Sequence, residues 1–477
     1  MKSTAQIFCL FLWALSCGGC VNLSPAYREP GVPGGRMPPA YKEENGWKSA
    51  APADAGERGP WWRVFVDSGL DDLMDRLGQA NQNMVIAAAN LRRARAQVSI
   101  ARSALFPGLS APGSFTRGGS ETTASSGRYS FGVSAQWEIG FWNALPGLEG
   151  AKAQAEASAA DFATMRLALQ AELAQTFFEL RMTDGQIRLY EDTLKAYRRA
   201  VELTGSQYRG GMVTQVDFDQ AQTQLASAEA QLAALKRRRA ELEHGLAILV
   251  GEMPSTFSLQ RAPLAAQVPS APRELPAALL ERRPDVASAE RRVAAANQEI
   301  GLARAAWFPS ISLGGDFIRQ ALDWRGPTLY SWSVGPSAAL SLFEGGRRLA
   351  ESDAAWAGYE AEVAQYRQTV LEAVKDVEDS LSALRWLETE AEAQARAVTA
   401  SKSALRLAMS QYEGGLTTYL QVVNSQTAAL ANERAAIEVQ GARLTAAINL
   451  IKALGGGFER GEIARLVERP PQIGASR

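Results

Sequence analysis

Histidine and cysteine, which supply many of the nucleophiles, proton carriers and metal ligands of proteins, are scarce in this chain of 477 residues. The single histidine, His244, lies between Glu243 and Gly245 in a leucine-rich helical stretch. That pattern offers no triad around it, and one imidazole cannot form a multi-histidine metal site. Pairs of carboxylates are scattered through helical segments rather than gathered with other catalytic residue types. The sequence therefore predicts no enzyme active site, no cofactor and no metal centre.

The cysteines Cys9, Cys17 and Cys20 all lie in the first 20 residues. Lys2 and the apolar run Ile7 to Leu15, followed by small residues, are typical of a secretory signal peptide. A cysteine directly after two glycines resembles a bacterial lipobox, so Cys20 is the predicted lipidated residue, with Cys17 as the alternative. Ordinary signal cleavage with incidental cysteines is the other interpretation, although a bare exported thiol would be exposed to oxidation.

The charge and the distribution of apolar residues exclude two further classes of protein. Lysine plus arginine is 50 and aspartate plus glutamate 51, which gives a net charge of −1, whereas nucleic-acid binders are usually far more basic. After the signal peptide no segment is apolar for the length that a transmembrane helix needs. Residues 24–60 are rich in proline and glycine and predict an extended tether.

The remaining chain repeats itself with an offset of about 200 residues. Ala101 to Pro107 reads ARSALFP, and Ala303 to Pro309 reads ARAAWFP. Ser206 to Gly211 reads SQYRGG, and Ser410 to Gly415 reads SQYEGG. Two markers that lie far apart keep nearly one offset, so we expect a whole unit to be duplicated.

Each copy carries a heptad pattern that ends at a pair of glycines and then resumes as a second helical pattern. This predicts two long antiparallel helical hairpins, with a first helix of roughly 90 Å at 1.5 Å per residue. A soluble coiled-coil scaffold would show the same heptads. The first seam consists of Leu173, Leu180, Ile187, Leu194 and Val201, and the second of Val363, Val370, Val377, Leu384, Ala391, Val398 and Leu405.

The other half of each copy alternates apolar with small polar residues. Val133 and Trp137 alternate with Ser134 and Gln136 in the first copy. The second copy shows the same alternation of apolar and polar residues. This pattern predicts four strands, with one apolar face, aromatic residues near their ends, and polar linkers at 118–128 and 320–330. It is typical of a transmembrane barrel, although a soluble two-hairpin sheet packed on helices is the alternative.

Four strands cannot close a barrel, and an open strand edge in lipid leaves backbone groups unpaired. Closure must then come from further copies of the chain. The predicted fold class is mainly α, with an internal duplication, long coiled hairpins forming a periplasmic α-barrel, and four strands per protomer in a transmembrane β-barrel. Three protomers would supply twelve strands, although the sequence does not itself fix the number at three.

The chain resembles the outer-membrane factors of tripartite efflux systems, the TolC family, in its lipoprotein branch. The segments that carry the resemblance are CVNLSPAYREP from Cys20, WWRVF from Trp61, ERRPDV from Glu281, the ARSALFP and ARAAWFP elements, and the paired tips at 208–216 and 412–420. The resemblance implies a lipid-anchored homotrimer in the outer membrane that reaches into the periplasm. It also implies a periplasmic adaptor and an inner-membrane transporter, most often of the RND type, as partners.

The resemblance also assigns roles at the paired tips. The candidates for adaptor contact are Arg209, Gly210, Gly211, Glu413, Gly414 and Gly415. The candidates for the pore constriction are Asp217, Gln421 and Asn424; the last two stand where relatives carry aspartates. Each set has a simpler explanation: the glycines permit a positive φ at a turn, and the three polar residues are solvated helix positions.

The predicted organisation runs from a signal peptide (1–19) and a lipidated tether (20–60) through two repeats (61–269 and 270–456) to a tail (457–477). The first repeat has strands at about 108–117 and 129–139 and a hairpin at 146–250. The second has strands at about 310–319 and 331–342 and a hairpin at 346–454. A periplasmic coiled-coil adaptor or scaffold lipoprotein is the alternative function. The four strands disfavour this alternative. An envelope-associated hydrolase is disfavoured because the sequence lacks a set of catalytic residues.

Overall fold

The computed structural model describes residues 22–32, 42, 60–120, 123–140, 142–264, 283–322, 327–458, 460–469, 471 and 473. The predicted signal peptide and Cys20 lie outside these described residues, as does the predicted boundary between the repeats at residue 269. Among the described helices, none combines the length and the apolar character needed to cross a membrane.

The described chain folds as two copies of one arrangement, a helix, antiparallel strands and a long helical hairpin, between the short helices α1 (Ser68–Ala80) and α8 (Arg460–Glu468). The first copy comprises α2 (Gln82–Ser103), β1 (Gly108–Ser110), β2 (Gly113–Ser120), β3 (Thr123–Glu138), α3 (Ala144–Arg209) and α4 (Gln215–Leu249). The second comprises α5 (Pro284–Ala305), β4 (Ser310–Ala321), β5 (Thr328–Ala339), α6 (Arg347–Glu413) and α7 (Tyr419–Ala453). Equivalent helices have 22 and 22, 66 and 67, and 35 and 35 residues. The predicted duplication is confirmed.

Helices α3 and α6 are continuous rods of about 100 Å at 1.5 Å per residue. Their heptad positions face inward: Leu173, Leu180 and Ile187 are buried, and so is Val377, the counterpart of Leu173. Side chains at this spacing share one face of a helix, and burying them holds each hairpin together.

The largest buried cluster lies around the middle of α3, where residues between Trp61 and Leu91 and residues of α8 pack against it. The short helical turn at Trp61–Phe65 presents Phe65, whose ring lies 5.1 Å from that of Phe178. Helix α1 is capped by the preceding Asp67, whose carboxylate accepts hydrogen bonds from the backbone N–H groups of Gly69 and Leu70. Capping of this kind fixes where α1 begins and so aims its apolar face at α3.

The strands form one antiparallel sheet in which β1 and β2 both pair with β3, β3 pairs with β4, and β4 pairs with β5. The first predicted strand is divided into β1 and β2 at Ala111 and Pro112. Proline cannot donate to a ladder, but the carbonyl of Pro112 still accepts from Gly132 N at 2.9 Å, so both pieces lie along β3.

Two predicted strand boundaries are wrong. The predicted linker at 118–128 is mostly strand, because the backbone ladder continues through small polar residues as far as the Ser120 and Thr123 pair. The predicted strand at 331–342 is displaced: β5 runs from Thr328 to Ala339, which pairs with Ser310. The next pair of the ladder would be Pro309 with Leu340. Because Pro309 has no N–H to donate, the ladder ends before it, and Leu340 lies beyond the strand.

The start of the predicted tether lies against the helices. Asn297 Nδ2 on α5 donates to Pro25 O at 2.9 Å, the hydroxyl of Tyr27 donates to Glu290 Oε1 at 2.5 Å, and Arg367 Nε on α6 donates to Gly31 O at 3.2 Å. Burial and the bond to Glu290 raise the pKa of Tyr27 above its usual range. Residues 22–32 are therefore a bound strap along α5 and α6.

Arg283, within the ERRPDV motif, joins three helices at the start of the second copy. Arg283 is buried, and its guanidinium contacts Asp285 at 2.7 Å, Asp376 of α6 at 3.2 Å and the carbonyl oxygen of Ala453 at 3.2 Å. Burial alone would lower the pKa of Arg283, but the two carboxylates raise it. The buried charge is thus balanced, and it fixes α5 relative to α6 and α7.

Candidate functional site at the helical tips

The two hairpin tips have the same backbone structure. In the first, Gly211 has a φ of 69°, Gly211 N donates to Tyr208 O at 2.9 Å, and Met212 N donates to Gln207 O at 2.9 Å. In the second, Gly415 also has a φ of 69° and makes the corresponding bond to Tyr412 O at 3.0 Å. This is the Schellman motif, which requires a left-handed residue at that position. The glycines therefore have a structural role at the turn.

The predicted adaptor-contact residues are exposed at these turns. They are Arg209, Gly210, Gly211, Glu413, Gly414 and Gly415. Of the two charged members, Arg209 donates to the hydroxyl of Ser206 at 3.2 Å on its own helix. The structure brings these residues to the same end of the two hairpins, and it leaves their role as contact residues a prediction.

Sequence reasoning missed a second feature of the tips, an exposed apolar pair on each. Met212 and its counterpart Leu416 are 72% and 82% exposed, and Val216 and its counterpart Leu420 are 63% and 49% exposed. Large apolar side chains at equivalent places on both tips indicate a surface that another protein covers. The sequence signal for these pairs was that apolar residues recur at the same spacing after both glycine pairs.

Asp217 has a local role that the sequence analysis did not identify. It occupies the third position of α4, where its carboxylate accepts from Thr214 N at 3.0 Å and from Thr214 Oγ1 at 2.7 Å, while Asp217 N donates back to Thr214 Oγ1 at 3.4 Å. This reciprocal arrangement is a capping box. The Thr-x-x-Asp spacing was the signal that could have predicted it.

The second tip lacks this box. Gln421 occupies the equivalent position of α7, but Thr418, the residue before the helix, accepts no hydrogen bond through its side chain. Gln421 is exposed, and so is Asn424 one turn further along. The two predicted constriction residues of this copy thus have side chains at the surface of the single chain, whereas Asp217 is half-buried.

A tyrosine connects the tips of the two copies. The hydroxyl of Tyr412 donates to Gln207 Oε1 of the other hairpin at 2.7 Å, and its ring lies 5.4 Å from that of Tyr419. Burial raises the pKa of Tyr412, and the negative charge of Asp217 raises it further. Asp217 therefore acts electrostatically on the tip of the second copy, although it caps a helix of the first.

A buried apolar cluster next to the tips also connects the two hairpins. Ala200, Ala221, Tyr419 and Val422 form a buried cluster to which both hairpins contribute. Burial, followed by the influence of Tyr412 and Tyr197, raises the pKa of Tyr419 to about 12. Further along, Gln224 Nε2 of α4 donates to Thr427 Oγ1 of α7 at 3.0 Å. The tips of one chain thus form a single packed unit.

Comparisons with known proteins agree with this architecture. The family model described as "Outer membrane efflux protein" matches residues 73–252 and 275–456. Outer membrane protein OprJ of Pseudomonas aeruginosa is 30% identical over 484 residues, covering 97% of this chain and 98% of OprJ. The probable efflux pump outer membrane protein TtgC of Pseudomonas putida is 32% identical over 474 residues, covering 95% and 96%. The crystal structure of the open state of the MtrE outer membrane channel of Neisseria gonorrhoeae matches with a TM-score of 0.80 and 28% identity, covering 92% and 99%.

The chain therefore belongs to the outer membrane efflux protein family. The predicted resemblance to the TolC family is confirmed, and so are the predicted fold class, the outer-membrane location and the function in efflux. The roles of the individual residues at the tips and of the lipid anchor stay predictions.

Proposed function

We propose that the chain works as a passive homotrimeric duct, the outer-membrane channel of a tripartite efflux pump that carries small compounds to the exterior. The observation that carries this proposal is the strand register. It aligns Gly113, Phe131 and Arg319 in one row and Val133, Phe317 and Trp332 in another, so that the apolar sets of all strands share one face. Phe131 is 65% and Trp332 75% exposed. A sheet in water would bury that face, whereas a sheet in lipid exposes it.

Closure of the sheet requires other copies. In the described part of the chain, β1 with β2 forms one edge of the sheet and β5 the other. Unpaired backbone groups are costly in hydrocarbon, so β5 of one protomer pairs with β1 and β2 of the next until three protomers close a barrel of twelve strand positions. The long hairpins then continue the barrel as a helical tube.

The tips dock a periplasmic adaptor, which connects the channel to an inner-membrane transporter of the RND type. The exposed apolar pairs support this assignment, since a partner that covers Met212 and Leu416 removes apolar surface from water. Arg209 and Glu413 at the same turns can make polar contacts with that partner. Replacing both Met212 and Leu416 by Ser tests it. We expect weaker adaptor binding in pull-downs, with trimer assembly unchanged.

The constriction consists of rings formed by three copies of Asp217, Gln421 and Asn424. Two of these rings are neutral, and the carboxylate of Asp217 is engaged with Thr214. Because carboxylate rings bind cations better than amide rings, we expect weak block by hexaamminecobalt(III) in planar bilayers. Replacing Gln421 and Asn424 by Asp should strengthen the block. Tight block that persists in Asp217→Asn would contradict this assignment.

Cell fractionation and conductance distinguish the channel from its alternative, a periplasmic coiled-coil adaptor or scaffold lipoprotein. The channel should sediment with the outer membrane and conduct ions in planar bilayers. An adaptor would be recovered away from the outer membrane and would not conduct. Family membership and the exposed apolar sheet both support the channel.

A further inference from the structure

The apolar face of the sheet carries two arginines. Among the described strand residues, Arg117 and Arg319 are the charged residues on that face. The acidic residues of the described strands, Asp316 and Glu138, lie on the opposite face, where Asp316 accepts a hydrogen bond from Ser333 Oγ at 3.4 Å. The outward face is therefore positively charged at these positions.

These arginines lie close to the hairpin ends that point away from the helices. Arg319 stands two residues before the end of β4, roughly 7 Å along the strand, and about 30 Å from Ser310 at 3.3 Å per residue. Helices adjoin the other end of the sheet, where Trp142 stacks on Phe308 with ring centroids 4.9 Å apart. If the sheet spans the outer membrane as proposed above, Arg319 lies at the level of the headgroups of the outer leaflet.

A cleft of about 420 Å³ lies beside Arg319, between β2, β3 and β4. Its lining includes Gly113, Phe115, Tyr129, Phe131, Arg319 and Ala321. The small side chains of Gly113 and Ala321 leave room for the cleft. The rings of Phe115 and Tyr129, whose centroids lie 4.7 Å apart, form one of its walls. The cleft thus combines an exposed guanidinium with aromatic surfaces on the side that faces lipid.

We propose that this cleft binds a phosphate-bearing lipid of the outer leaflet. The guanidinium of Arg319 donates two parallel N–H bonds to the phosphate oxygens, and the aromatic rings pack against the sugar or acyl part of the lipid. An arginine that merely extends its side chain toward water would need neither the cleft nor the ring wall. The inference rests on the proposed placement of the sheet in the membrane.

Native mass spectrometry of the detergent-extracted full chain tests this site. The probes are bis-phosphorylated lipid A, the same lipid without its phosphates, and inorganic phosphate. The wild type should bind the phosphorylated lipid, and Arg319→Gln should weaken binding on the order of tenfold. The matched control is Arg128→Gln, which removes an exposed arginine near the same hairpin ends but on the opposite face, and which should bind as the wild type does.

Several results would overturn the inference. These are equal binding by wild type and Arg319→Gln, equal weakening by Arg319→Gln and Arg128→Gln, equal binding of the dephosphorylated lipid, or full competition by inorganic phosphate. Protease protection in phosphatidylcholine vesicles is measured on the same samples. A wild type that fails to insert contradicts both the channel proposal and this site, whereas an inserted protein indifferent to the lipid phosphate contradicts this site alone.

Discussion

At the residue scale, Asp217 and Gln421 occupy equivalent positions but differ in their bonding. The carboxylate of Asp217 completes a capping box with Thr214, whereas Gln421 makes no such bond to Thr418. We expect Asp217→Ala to destabilise the start of α4 by about 1 kcal/mol, the usual contribution of a cap. Hydrogen exchange of the backbone amides at 212–220, followed by mass spectrometry, measures this change.

Gln421→Ala is the matched control for that experiment. It should leave exchange at 416–424 nearly unchanged, because it removes no capping bond. Similar loss of protection in the two variants would show that the capping box contributes nothing in solution.

Tyr419 predicts a dependence of tip stability on alkaline pH. Burial raises its pKa from the ordinary 10.0 to about 12, so below pH 10 the phenol is protonated in both the folded and the unfolded chain. Between pH 10 and 12 the unfolded phenol ionises first, and the stability of the tip therefore falls as the pH rises. Tyr419→Phe should flatten this decline. Hydrogen exchange of the backbone amides at the tip measures the change.

The exposed Tyr208 supplies the control, since Tyr208→Phe should leave the decline unchanged. Phenolate absorbance during the same titration gives an independent readout. An unaltered decline in Tyr419→Phe would exclude this residue as its source.

At the scale of the element, strand β3 has two chemically different faces. Val133 lies opposite Phe317 on the apolar face, and Ser134 lies opposite Asp316 on the other. Val133→Arg should impair insertion by roughly 2 to 4 kcal/mol, because a charge near the bilayer midplane must be desolvated. Folding into vesicles of a single lipid composition, titrated with urea, measures the difference from wild type.

Ser134→Arg is the paired variant, one residue away on the same strand, and it should be clearly milder because its side chain faces the lumen. Equal damage by the two substitutions would indicate a soluble sheet with both faces in protein or water.

At the scale of the whole molecule, the strap defines where a lipid anchor would attach. Arg304, near the strand end of α5, donates to the carbonyl oxygen of Leu23 at 3.1 Å, so the chain enters beside the sheet. We expect mass spectrometry to show an acylated N-terminus at Cys20 and Cys20→Ser to block that processing. Acylation at Cys17, or an unmodified N-terminus, would contradict the assignment.

Assembly is the second prediction at this scale. Because edge strands in lipid leave backbone groups unpaired, the detergent-extracted wild type should sediment as a trimer. Cys20→Ser should still form trimers once inserted, since the barrel spans the membrane and one lipid chain adds only reversible attachment. A stable inserted monomer would contradict closure by three copies.

The sequence by itself determined the features that depend on short spacings. Alternation with a period of two placed Val133 and Trp332 on one face of the sheet, and the heptads placed Leu173 and Val377 inside the hairpins, because each periodicity is a property of one element. The duplication was equally readable, since it is a comparison of the chain with itself.

The tertiary structure alone decided the contacts between residues distant in sequence. Tyr412 meets Gln207 across the two hairpins, Tyr27 meets Glu290 on α5, and Phe65 packs on Phe178. Each contact depends on the relative position of separate elements, which packing of the whole chain sets and no local pattern encodes. The same reason explains the cleft at Arg319, since its walls come from three strands whose register is established only when the sheet forms.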